Sequence, residues 1–143
     1  MIHVSETCVK LIQRFEGCRL EAYQDSVSVW TVGWGSTGPD ICQGTRFTQE
    51  QADKRLRTHL ELVEGCLTRN VKVPLTQNQA DALGSFIYNL GCGNFMASTL
   101  LKKLNAGDYE AVPDQIRRWT RAGTQVLAGL VTRRAAEAEL FAA

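Results

Sequence analysis

Between Leu20 and Phe47 the chain shows no helical period, although most of what surrounds that stretch does. This interruption constrains the fold more than any other feature. Ala22-Tyr23-Gln24 and the run from Val29 to Trp34 are rich in β-branched and aromatic residues. Asp25-Ser26 stands between them, and Gly35-Ser36-Thr37-Gly38-Pro39-Asp40 follows. The pattern predicts two or three short antiparallel strands. So small a sheet cannot bury a core of its own and has to lean on helices.

Caps and periodicity mark those helices. Ser5 can cap a first helix over 5–16, in which Cys8, Leu11, Ile12 and Phe15 recur at i, i+3, i+4 and i+7 before Gly17 ends it. Thr48-Gln49-Glu50-Gln51 is a capping box opening a helix over 49–68, with Ala52, Leu56, Leu60, Val63 and Leu67 on one stripe. A helix of roughly 20 residues is about 30 Å long, enough to join one lobe to another. Thr76-Gln77-Asn78-Gln79 repeats the box ahead of Ala80, Leu83, Ile87 and Leu90, and Gly91-Cys92-Gly93 stops that helix. A shorter helix carries Leu100, Leu101 and Leu104. Asp108 can cap the next, which holds Ile116 and Trp119 and is expected to begin or kink near Pro113. After a loop from Arg121 to Gly129, a final helix is predicted from about Leu130 to Phe141.

The length of 143 residues fits one domain with a sizeable core. Sixteen basic against fifteen acidic side chains leave a formal charge of +1, so no global field draws the chain onto nucleic acid. The mild basic excess after Lys102 reads as a solvated helical face or as attraction to an anionic wall surface. No stretch approaches 18 apolar residues and no leader pattern opens the chain, so no membrane anchor is expected. Cys8, Cys18, Cys42, Cys66 and Cys92 are odd in number and lack a C-x-x-C pair, which argues against a zinc site. Buried thiols are the default expectation for them, with one or two disulfides the alternative. His3 and His59 are too isolated to suggest a metal, and no cofactor is expected.

The chemistry concentrates in Phe15 to Gly38. Glu16 falls at a helix end beside apolar side chains, where desolvation and the negative end of the helix dipole both favour a protonated carboxyl group. Asp25 stands in a polar turn, where it is expected to stay ionised. Thr31 offers a hydroxyl able to accept from and donate to one water molecule. One acid and one base of this kind are what cleavage of a glycosidic bond requires.

The spacing Glu16, Asp25, Thr31 within FEG, AYQD and WTVGWGSTG resembles the phage-type lysozymes, endolysins of glycoside hydrolase family 24, whose signature is Glu, eight residues, Asp or Cys, five residues, Thr. The resemblance continues through PLTQNQADALGSFIYNLGCGNF, STLLKKLNAGDY and GLVTRRAAEAELF, nearly the whole chain. It implies an α+β, two-lobed lysozyme-like fold, mostly helical, with a small antiparallel β-sheet in the N-terminal lobe. As one domain over 1–143, it would have a small lobe at about 17–60 and a helical lobe made of about 70–143 plus the N-terminal helix 5–16, with helix 49–68 crossing between them. It also implies hydrolysis of the β-1,4 bond between N-acetylmuramic acid and N-acetylglucosamine. Glu16 would be the proton donor, Asp25 the activator of water and Thr31 its holder, with inversion and therefore carboxyl groups roughly 6.5–9.5 Å apart.

Several further expectations follow from the resemblance. Tyr88 and Asn89 would line the sugar groove, Tyr88 by stacking and Asn89 through an acetamido group, although an aromatic at helical spacing also serves a core. Ser85, Trp34 and Arg134 join them as candidate substrate contacts. Arg133 and Arg134 would lie near the catalytic acid or peptide stem, or snorkel at the surface. The implied partner is bacterial peptidoglycan, met by a monomer held in the host cytoplasm until a separate membrane-permeabilising protein releases it. A departure is Ser36, where the family usually carries a histidine, which removes an ion pair bracing the small lobe. The alternatives are a lytic transglycosylase, or a non-catalytic wall-binding or membrane-permeabilising protein.

Overall fold

A computed structural model describes all residues from Met1 to Ala143. Its helices are α1 (Glu6–Glu16), α2 (Gln49–Asn70), α3 (Gln77–Leu90), α4 (Cys92–Met96), α5 (Thr99–Asn105), α6 (Val112–Arg117) and α7 (Ala128–Ala142). Strands β1 (Arg19–Gln24) and β2 (Trp30–Gly33) form one antiparallel pair, and β3 (Arg121–Ala122) with β4 (Gln125–Val126) a second.

The first helix is fixed at both ends. Ser5 caps it by accepting from the Thr7 amide, while Ser5 itself donates its amide to Asp81 Oδ1 at 2.7 Å and its hydroxyl to Asp81 Oδ2 at 2.5 Å. Asp81 belongs to α3 and is almost fully buried, so the start of α1 is tied to the central helix. At the other end Gly17, with φ at 64°, closes the last turn by donating its amide to the Gln13 carbonyl. Glu16 is therefore the last helical residue.

Both capping boxes form in full, at Thr48 and Thr76. Residues 80–88 of α3 are all buried, which makes α3 the axis of the helical lobe, with α1, α2 and α7 packed around it. A cluster of 22 buried residues fills that lobe and includes Ile12, Leu56, Leu67, Leu83, Phe86, Leu104, Ile116 and Phe141. No residue of β1 or β2 belongs to it. Val32, Ile41 and Ala52 are buried apart from it, giving the hairpin lobe a small interior of its own. The two lobes thus have separate cores, and α2 contributes to both.

In the first hairpin Tyr23 faces Thr31 and Gln24 faces Trp30, with a register shift before Arg19 meets Gly33. The third strand, left open by the sequence, is reduced to a bridge between Glu21 and Arg46, flanked by backbone bonds from Ala22 to Thr45 and from Phe47 to Leu20. The β3–β4 hairpin occupies residues expected to be loop. Two residues a side, turning at Gly123, are too few for an alternating pattern to register. Asp108 makes no side-chain cap; a 3-10 turn over Tyr109–Ala111 precedes α6, and Pro113 sits in its first turn, where no helical bond is lost. Trp119 lies beyond the end of α6.

Cys8, Cys18 and Cys42 are free, but only Cys8 is buried as expected; Cys18 is half-buried and Cys42 exposed. Cys66 and Cys92 form a disulfide that joins the last turns of α2 to the start of α4. The sequence keeps the two 26 residues apart, and the packing of α3 and α4 on α2 brings them together.

Candidate active site

Glu16 projects from the end of α1 with its side chain 18% exposed. Its Oε2 accepts from Nη1 of Arg133 at 2.6 Å, and that guanidinium, on α7, is itself buried. The sequence argument from helix end and desolvation had no place for this cation, which attracts an ionised carboxylate. On its other side Glu16 meets backbone. A Cβ on Gly35 would overlap Oε1, so the segment after β2 passes directly over the acid.

Asp25 and Thr31 sit on the hairpin. Oδ1 of Asp25 accepts from the amides of Val27 and Val29 at 2.9 and 2.8 Å, so the carboxylate folds the turn it stands in. Its Oδ2 takes no partner from the protein and remains available. Thr31 is nearly buried and donates its hydroxyl to the Val29 carbonyl at 3.0 Å. That bond commits the one hydroxyl proton, leaving Thr31 to act on a water as an acceptor only, one role fewer than expected. Tyr23, paired across the sheet with Thr31, has its phenol pushed up by burial and then by the charges of Glu16 and Asp25. Both carboxylates thus act on one side chain of β1.

The candidate substrate contacts divide. Trp34 is half-buried, and its indole N–H donates to Asp53 on α2 at 2.8 Å. Asn89 is half-buried and accepts on Oδ1 from Nη2 of Arg134 at 2.8 Å, which leaves its amide nitrogen as a donor. Tyr88 does not face a groove. It is 5% exposed, its hydroxyl donates to the Trp34 carbonyl at 2.6 Å, and its ring packs on His59 with centroids 4.2 Å apart. A ring so buried has no open face to offer a sugar. Burial first, and then the nearby Glu16 charge, push the phenol well up.

Ser85 and Arg134 are fully buried and are likewise withdrawn from any ligand. Ser85 donates to Oε2 of Glu137 at 2.5 Å, and Nε of Arg134 lies 2.8 Å from Oε1 of Glu137, though out of line for a hydrogen bond. Burial lowers the Arg134 guanidinium to about 10, against the opposing pull of Glu137. Burial likewise pushes Glu137 up, while Arg134 and Arg133 pull it down. Neither arginine snorkels. Sequence reading passed over Glu137, whose only signal was its place three and four residues after a pair of arginines on one helix.

Ser36 lies where a histidine was expected, and its buried hydroxyl has no hydrogen-bond partner. The brace between hairpin lobe and α2 comes instead from Arg55, which pairs with Asp40 at 2.8 Å and donates to the Thr37 carbonyl at 3.2 Å. Two concavities elsewhere, about 460 Å³ between α1 and α7 and about 340 Å³ beside Tyr109 and Phe141, include none of Glu16, Asp25 or Thr31. No helix is long and apolar enough to cross a membrane, and no group of three or more His, Cys, Asp or Glu is placed to hold a metal.

Known proteins share this arrangement of chain. The endolysin of Acyrthosiphon pisum secondary endosymbiont phage 1 is 44% identical over 144 residues, covering 98% of each chain. The muramidase domain of SpmX from Asticaccaulis excentricus superposes with a TM-score of 0.87 at 38% identity, over 99% of both chains. A mutant of P22 lysozyme does so at 0.82 and 37%, over the full length of both. The model of the phage lysozyme family matches residues 13–137, from within α1 to within α7. With the family model spanning most of the chain and these relatives matching it almost end to end, the chain belongs to the phage lysozyme family.

Proposed function

We propose that this chain is an endolysin that hydrolyses peptidoglycan during lysis of a phage's host, cutting the β-1,4 bond between N-acetylmuramic acid and N-acetylglucosamine. Glu16 gives its proton to the departing glycosidic oxygen. Asp25 takes a proton from the attacking water as that water's oxygen bonds to the anomeric carbon, and Thr31 accepts a hydrogen bond from the same water. Attack from the face opposite the leaving group inverts the anomeric centre. Trp34 and Asn89, the two candidate contacts that keep exposed surface, line the sugar groove. The protein acts as a monomer, reaching the wall once a separate membrane-permeabilising protein has opened the way.

The observation that carries this reading is the setting of Glu16, an acid at a helix end held between the Gly35 backbone and the buried Arg133, with Asp25 in the hairpin turn and Thr31 on β2. The SpmX relative is described as a muramidase and the P22 relative as a lysozyme, which supports hydrolysis of the wall glycan over mere binding.

Glu16→Gln tests it. The substitution keeps volume and removes the transferable proton. It is expected to abolish solubilisation of purified sacculi while leaving the thermal midpoint nearly unchanged, and retained lysis would overturn the acid assignment. Mass spectrometry of wild-type products is expected to show hydrated reducing ends. Anhydro ends, lighter by one water, would instead identify a transglycosylase. Proton NMR of early products reads the anomer and hence inversion.

A further inference from the structure

Four charged side chains form one row at the junction of α1, α3 and α7, three of them buried and Glu16 at its partly exposed end. Glu16 meets Nη1 of Arg133 at 2.6 Å, Nε of the same arginine lies 3.3 Å from Oε2 of Glu137, and Arg134 lies 2.8 Å from Oε1 of Glu137. Arg133 therefore serves two acids at once. Glu137 is wholly buried, so contact with a substrate does not explain it. Two positive and two negative groups balance. Without Glu137, the carboxyl group of Glu16 would face two cations alone.

We propose that Glu137 is a positioning residue for the acid: by holding Arg133 through Nε, it limits how much of that guanidinium's charge reaches Glu16, and so sets the pH at which activity fails on the alkaline side. The proposal rests on the reading of Glu16 as proton donor. The hydroxyl of Ser85 tunes the arrangement, since it donates to the same Oε2 that Arg133 and Arg134 approach. Its loss frees that oxygen and also removes an acceptor that holds Nη2 of Arg133 at 3.3 Å, so Arg133 is drawn toward Glu137 and away from Glu16.

The other titratable groups around the row do not compete with this role near neutral pH. Tyr23 from β1 and Tyr88 from α3 face Glu16 as neutral phenols, both pushed up by burial. His59 from α2 is held neutral by burial and by Arg55, whose own charge is committed to Asp40. On the far side Cys8 from α1 faces Glu137 as a neutral thiol, pushed up by burial, with Asp81 beyond it bound to Ser5. Arg133, Arg134 and Glu137 are then the charges that set the field at Glu16 from the helical side, while Asp25 and Arg19 are the charges on the hairpin side and are the same in every variant.

The test is the pH profile of sacculus hydrolysis with the full chain. Glu137→Gln keeps the shape and removes the negative charge. Its alkaline limb is expected to move down by about one pH unit, with kcat reduced near neutral pH and KM unchanged. Carbon-13 titration of the Glu16 carboxyl group is expected to move the same way. A wild-type profile in a folded Glu137→Gln protein overturns the proposal, since a merely structural glutamate would lower stability without moving the limb. If that variant does not fold, Ser85→Ala decides. An upward shift of the limb supports the role of Glu137, and an unchanged or downward one overturns it. Glu16→Gln separates the two readings. Residual lysis by it would sink the acid assignment, whereas its inactivity beside an unshifted Glu137→Gln would sink only the positioning role.

Discussion

Gly35 lies against the carboxyl group of Glu16 with no space left between them: a Cβ built on Gly35, whose φ is 78°, would overlap both Oε1 and the carboxyl carbon. The missing side chain is what lets the hairpin lobe close over the acid. Gly35→Ala is expected to add left-handed strain of about 1–2 kcal/mol and also to displace Glu16. Misplacing a reacting group by about 1 Å costs on the order of 100-fold in rate. Gly44 supplies the comparison, because its φ is 87° and a Cβ there meets nothing within 4 Å. Gly44→Ala is expected to lose similar stability and almost no activity. Equal loss of kcat/KM in the two variants would show that strain, not contact with Glu16, is responsible.

Tyr88 ties the helical lobe to the hairpin through the Trp34 carbonyl. Tyr88→Phe keeps the ring on His59 and leaves that carbonyl without its donor, at a cost of about 1–3 kcal/mol. Urea unfolding is expected to report the loss, and the amides after Trp34 to exchange faster. A sugar-stacking Tyr88 would predict the opposite pattern, with stability intact. The measurement therefore decides between bracing and binding.

The contrast between what was and was not legible follows the range of the interactions. Glu16 at a helix end, the boxes at Thr48 and Thr76 and the hairpin around Asp25 depend on neighbours within a few residues, and the chain announces them. Tyr88 was ambiguous because its spacing fits a core and a groove alike; its partner carbonyl lies 54 residues away in sequence. Arg133 meets Glu16 across 117 residues, so nothing local distinguishes it from a surface arginine. Family likeness placed both arginines near the acid without telling that Arg134 would be buried on Glu137. The disulfide was hidden for the same reason, since its geometry is a property of how α3 packs on α2.

That disulfide closes a loop of 26 residues around α3. Cross-linking a loop of this length restricts the unfolded chain by about 3 kcal/mol. Replacing Cys66 and Cys92 together by Ala is expected to lower the thermal midpoint by several degrees. Activity well below the midpoint is expected to stay, because neither cysteine lies on α1, which carries Glu16, or on the β1–β2 hairpin, whose turn holds Asp25 and whose second strand holds Thr31. Reductant acting on the wild type is expected to reproduce the variant's midpoint, and a midpoint insensitive to both would exclude a stabilising bond.

His59 links the fold to pH. Burial first, and Arg55 second, hold its imidazole below the ordinary value of 6.5, with Glu16 opposing less strongly. An unfolded chain takes up a proton on this residue near 6.5 while the folded chain resists it, so the unfolded state binds more protons in the interval between the two values. Stability therefore rises with pH across that interval. The contribution is complete above 6.5, where His59 is neutral in both states, and is lost progressively as pH falls from 6.5 toward the folded value. His59→Phe keeps an aromatic ring against Tyr88 and cannot titrate. Urea unfolding free energies measured from about pH 5 to about pH 7.5 are expected to climb more steeply for the wild type than for this variant. Equal slopes would mean that the imidazole protonates as readily in the fold as in water, and that its packing on Tyr88 does not exclude the charged form.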